Sequence, residues 1–143
     1  MKRPVNFETI DAVDFEINGV PFYTDLDNLV FDWCKKTFGL SNVNGTYPKL
    51  VFHRTGKQYA GWYDPWKNEI HVFKQKHRTF MGFIGTIIHE FTHYHQSIKR
   101  EYHKLDKIYS YKNHPHEREA NKIERKYKWM CYYEVFSPNE AMK

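Results

Sequence analysis

The chain has few cysteines, no long apolar run, and no internal repeat or low-complexity tract, and each absence removes a class of protein. Cys34 and Cys131 lie far apart with no C-x-x-C pairing, which points to reduced, buried thiols, a disulfide between them being the lesser alternative. No stretch is long enough to span a bilayer. The opening MKRPVNFETIDAVDF has basic residues but no apolar run behind them, so neither a membrane span nor a signal peptide is expected. The expected compartment is the cytoplasm, a host's if a phage encodes the chain. No helix-turn-helix or zinc-ribbon motif is present to read bases. At 143 residues, 41% hydrophobic and 18% aromatic, the chain can bury a real core, and one domain over residues 1–143 is expected.

What is present is His89-Glu90-Phe91-Thr92-His93. Residues four apart in an α-helix sit almost above one another, so both imidazoles can reach one metal ion while Glu90 projects toward a water held there. The chemistry implied is metal-assisted hydrolysis. On a helical wheel of about 100° per residue, Phe80, Ile84, Ile87, Phe91, Tyr94 and Ile98 form an apolar stripe with Met81 and Ile88 beside it. The histidines face the other way, among Gly82, Gly85, Thr86 and Gln96, small or polar residues that leave room for a neighbouring element and a ligand. The alternative is a surface helix with two solvated histidines.

A catalytic zinc takes three protein ligands and keeps a fourth position open. The stretch His114-Pro115-His116-Glu117-Arg118-Glu119-Ala120-Asn121 offers several donors. Pro115 suits the first turn of a helix, and Ala120, Ile123, Tyr127, Met130 and Cys131 then recur at helical spacing. Glu117 thus falls near the start of a second amphipathic helix. Ala120 is small enough for tight packing on the first helix, and Asn121 is placed to hold a ligand from behind.

His89-Glu90-x-x-His93 followed by Glu117-x-x-Ala120-Asn121 resembles the zincin metallopeptidases of the glutamate-ligand branch, most of all the small ImmA/IrrE-type proteases. The resemblance implies zinc as cofactor, His89, His93 and Glu117 as its ligands, Glu90 as general base and a peptide or protein as substrate. It covers about half the chain and departs from the family at Thr92, where glycine is usual, and at Ile123-Glu124-Arg125, where Phe-Ala is usual. The longer metzincin pattern is absent, since Gln96 and Lys99 stand where its glycine and third histidine belong. His95 falls on another helix face. A SprT-like set of three histidines, drawing on His103, His114 or His116, is the other ligand arrangement. Hydrolysis also needs a donor for the oxyanion. Tyr109, Tyr111, His114 and His116 all lie in or beside the connection to Glu117, with His114 and Tyr111 preferred.

The rest of the chain reads as an α+β fold: a minimal zincin-like core with a small antiparallel or mixed sheet packed on the active-site helix and a second, ligand-bearing helix. An irregular or strand-like section to about Tyr23 includes the Asn18-Gly19 turn signal. A helix capped by Thr24 follows, with Leu26, Leu29, Val30, Trp33 and Phe38 on its apolar face and Gly39 ending it. Leu50 to His53, Tyr59 to Tyr63 and Glu69 to Phe73 read as strands, the last two joined by a hairpin through Asp64-Pro65-Trp66-Lys67-Asn68. Ala60 and Gly61 allow close backbone approach, and the resemblance makes their strand the one that pairs with an extended substrate.

The net charge is +5 and the pI about 9.1, with basic residues concentrated after Lys99. Lys122, Arg125, Lys126 and Lys128 interleave with Tyr127, Trp129, Tyr132 and Tyr133 on the last helix. Such a mixture can bind nucleic acid or an acidic protein, which makes a non-catalytic or regulatory binding module the second functional expectation and a SprT-like protease acting on DNA-bound proteins a third. The plain alternative is a solvated helix face whose stems lie over aromatic core.

Overall fold

A stretch that mixes β-branched, aromatic and charged residues at alternating positions, followed by a long apolar helix, can fold only if the helix covers the apolar face of the strands. The computed structural model describes residues 22–42, 44–56, 58–77, 79–96 and 104–135, with backbone alone for 22–26. The elements run α1 (Phe22–Phe38), β1 (Lys49–His53), β2 (Gly61–Asp64), β3 (Glu69–Phe73), α2 (Phe80–His95) and α3 (Pro115–Val135), and the class is α+β as expected. Three strands form one sheet in the order β1-β3-β2, with β1 parallel and β2 antiparallel to β3. The sheet is therefore mixed, and among the described residues β2 is an edge. Residues 1–21, which hold the Asn18-Gly19 signal, lie outside the described residues, as do Ile98 and His103.

The hairpin is set by its turn chemistry. Asp64 Oδ1 accepts from the backbone N–H groups of Trp66 and Lys67, Asn68 takes the left-handed conformation (φ 52°), and Tyr63 donates its hydroxyl proton to Asn68 Oδ1 at 2.7 Å. Strand alternation turns Ile70 and Val72 inward, both fully buried, with Leu50, Phe52 and Tyr63 packed against the same core. The strand expected from Tyr59 is shorter at its start, since pairing begins at Gly61.

α2 is the central element. It packs on β2 and β3 and also on α1 and α3, so it buries every residue except Gly82, Thr86, Thr92 and His95. A helix covered on all sides must be apolar nearly all round, and the stripe read from the wheel accounts for only part of that covering. Thr79 caps its start, with Oγ1 accepting from Gly82 N at 3.0 Å. Beside it, His77 donates from Nδ1 to the Phe73 carbonyl, so its Nε2 accepts from the Thr86 hydroxyl at 2.7 Å and ties the helix to the end of β3. Burial lowers the His77 pKa, which suits this neutral tautomer.

Two expectations for α1 are corrected. It begins at Phe22, which places Thr24 inside the helix and the backbone of Tyr23 in its first turn. Its core face is Val30, Phe31, Trp33 and Cys34 with Phe38 packed against them, so Val30, Trp33 and Phe38 lie as expected while Leu29 is 46% exposed. The actual contact surface is tilted relative to the stripe because α1 leans on α2, α3 and β1 together. Gly39 ends α1 in the left-handed conformation (φ 73°), with its N–H returned to Lys35 O. Cys34 and Cys131 are buried free thiols, each pushed up in pKa by burial. Among the described residues, no helix is long and apolar enough to cross a membrane.

Candidate metal centre

Gly85 and Ala120 are the small residues that let α2 and α3 come together. Ala120 is fully buried, and a Cβ on Gly85 would lie 2.6 Å from Glu124 Oε2. At this contact the structure brings together His89, His93 and Glu117. His89 Nε2 is 2.9 Å from Glu117 Oε1, and His93 Nε2 is 3.1 Å from Glu117 Oε2. All three are buried, at 8%, 5% and 4% exposure, and one donor atom from each lies within 4.8 Å of the others. This group can hold a metal ion.

The donor chemistry fits one. His89 Nδ1 is 3.1 Å from Glu124 Oε1, and His93 Nδ1 is 2.7 Å from Gln96 Oε1. Both partners are acceptors, so the outer nitrogens carry protons; with a metal bound each neutral ring would keep its Nε2 lone pair for the ion, and without one each Nε2 donates to Glu117. The Gln96 amide is oriented in turn, because its Nε2 donates to His116 O at 3.0 Å and to Glu119 Oε1 at 2.7 Å. Without a metal, burial disfavours protonated rings, yet hydrogen bonds to Glu117 and Glu124 outweigh it and push His89 up to about 10. His93 is raised for the same reason, burial opposing and Glu117 favouring the charge. Metal uptake must displace those protons.

No family model, curated protein or solved structure matches the chain. The chemistry therefore rests on the residues themselves. Glu90 is 7% exposed beside the two histidines. Burial raises its carboxyl pKa, while His93 and His89 pull it back down. β2 crosses directly over it, since a Cβ on Gly61 would meet Thr86 Cγ2 at 2.7 Å, His71 O at 2.8 Å and Glu90 Cγ at 3.4 Å. Only glycine permits this approach, which bears out the expectation of close backbone approach at Gly61.

A cleft runs along this edge of β2 in two lobes. One, about 450 Å³, is lined by aromatic residues of the hairpin together with Glu90, His93 and Glu117; the other, about 320 Å³, meets His89, Glu90, Asn121 and Glu124. Tyr59, Gly61, Glu90 and Tyr111 border both. Of the two preferred oxyanion donors, the structure brings Tyr111 to the site. Although the residue as a whole is 65% exposed, its pKa is raised, first by partial desolvation of the hydroxyl and then by the nearby Glu117 carboxylate. His114 is fully buried at the start of α3, where its Nδ1 accepts from His116 N at 3.2 Å, and it does not line the cleft. Tyr109 is exposed and lies in neither lobe. His95 bonds the Gly39 carbonyl, away from the centre.

Two positioning residues escaped the sequence. Asn121 lines the second lobe, yet Glu124, seven residues after Glu117, is the one that bonds His89. The signal was a carboxylate two helical turns beyond a ligand on the same face. Gln96 is expected from the wheel on the histidine face, but its bond to His93 Nδ1 is not legible there. Replacing Glu124 by alanine is expected to weaken divalent-metal binding at this group about 10- to 100-fold, the usual cost of an outer-sphere partner. Competition against a chromophoric chelator measures this, and unchanged affinity would remove Glu124 from the centre. On α3, Lys122, Arg125 and Lys126 are exposed, whereas Tyr127 and Trp129 pack on the core and Tyr132 is buried. Most of the interleaved rings therefore serve the core.

Proposed function

We propose that the chain is a zinc-dependent peptidase of the glutamate-ligand zincin type, with Glu90 as general base. One observation carries this: His89, His93 and Glu117 turn their donor atoms to one point, and that point lies beside buried Glu90 in a cleft bordered by a strand edge. The two-nitrogen, one-oxygen donor set suits zinc, which when bound lowers the pKa of a coordinated water to about 7 and polarises a carbonyl.

The side chains divide the remaining work. Glu90 takes a proton from the attacking water and returns it to the leaving amine, and its raised pKa brings it closer to neutrality, where one carboxyl can do both. Tyr111 borders both lobes of the cleft and can donate its hydroxyl to the developing oxyanion without losing its own proton. Glu124 and Gln96 keep the histidine rings from turning. The edge of β2 that no described strand covers would offer backbone groups to an extended peptide, which secures the chain whatever its side chains.

The test is metal content together with turnover. Protein prepared without added metal is expected to contain about one zinc per chain and to cleave an unstructured protein such as casein, with cleavage lost on chelation and restored by zinc. Absence of bound zinc after reconstitution would sink the proposal.

A further inference from the structure

We infer that the aromatic lobe selects a basic side chain, arginine or lysine, next to the cleaved bond, so that the substrates are basic polypeptides; this rests on the peptidase reading. The walls of that lobe are Tyr59, Trp62, Tyr63, Pro65, Trp66 and Tyr111, with no leucine, isoleucine, valine or methionine among its lining residues. Trp66 is 69% exposed, Tyr59 54% and Trp62 42%, so large rings are held in water on one side of the centre. Flat rings of this kind attract cations over their faces as well as apolar groups.

Charge decides between those guests. Asp64, Glu90, Glu117 and Glu124 line the two lobes, and among the described residues no lysine or arginine does, although the chain's net charge is +5. A divalent ion offsets only part of that negative charge. A purely apolar guest would strip water from Asp64 and give nothing back, whereas a guanidinium or ammonium pairs with it while lying on the rings. The lobe is also built in advance. Asp64 is fixed beside Trp66 by its 2.9 Å bond to the Trp66 N–H, and the Trp62 ring is backed by His71, stacked at 4.6 Å and 11°. Little ordering is then left for the substrate to impose.

The experiment uses zinc-loaded Glu90→Gln protein and labelled peptides that differ at one central position: arginine, citrulline, phenylalanine or alanine. Citrulline keeps the shape of arginine without its charge. The arginine peptide is expected to bind about tenfold tighter than the citrulline and alanine peptides, with the gap narrowing in high salt. Trp66→Ala should remove most of that preference and Trp66→Phe should keep part of it, and since Trp66 is largely exposed neither change threatens the fold. Equal binding of the arginine and citrulline peptides, or tightest binding of the phenylalanine peptide, overturns the inference. Turnover of the same peptides by the parent protein separates the two levels. Cleavage with no arginine preference in binding overturns the selectivity and leaves the peptidase; arginine-selective binding with no cleavage overturns the peptidase and leaves the selectivity.

Discussion

Glu117→Ala is expected to lower zinc affinity on the order of a thousandfold, since one of three ligands supplies roughly a third of a binding free energy of about 10 kcal/mol or more. The same change also acts on the metal-free chain, because the Glu117 carboxylate bridges His89 and His93 in a buried site. The sign follows from the histidine. His89 has an ordinary value of 6.5 and is pushed up to about 10 against the effect of burial, so its pairing stabilises the fold fully below 6.5 and is lost as pH rises through about 10. The melting temperature of metal-free Glu117→Ala should therefore fall furthest below that of the metal-free parent in mildly acidic solution. The gap should narrow toward about pH 10. Zinc content by elemental analysis and melting by calorimetry check the two halves separately. A variant that keeps one tightly held zinc would move the third ligand to another residue, with the histidines near 103 to 116 next in line.

Glu90→Gln should do the opposite: keep the metal and lose the reaction. The amide fills the same space under β2 but accepts no proton, so kcat is expected to drop by about 10²- to 10⁴-fold, the usual worth of a positioned general base. Stability should hold or rise, because burial already penalises the charged carboxylate that the substitution removes. Steady-state cleavage at saturating substrate, read beside zinc content, makes the distinction. Full activity in Glu90→Gln would falsify the base assignment, and loss of zinc would show that Glu90 belongs to the ligand set.

Much of the local architecture was legible because it is local. The hairpin was written in Asp64-Pro65-Trp66-Lys67-Asn68, and the structure uses those residues as turn chemistry requires. Pro115 marked the start of α3 and Gly39 the end of α1, since each acts through its own backbone conformation. Thr24 misled for a related reason: a capping hydrogen bond is one local option, and the helix gained more by extending to Phe22. The parallel pairing of β1 with β3 was not legible, because register between strands with another strand intervening in the sequence depends on closure of the whole sheet.

By itself the sequence determined that His89 and His93 share a face with Glu90 beside them, since helical spacing leaves no other arrangement for residues four apart. Tertiary structure decided the rest of the centre. It chose Tyr111 over His114 for the cleft, brought Glu124 behind His89 and Gln96 behind His93, and set Gly61 of β2 over Glu90. Each of these pairs joins residues on different elements or at a helix end, and such meetings follow from how helices and strands pack. Packing is set by the fit of whole faces, a property that no short run of residues carries.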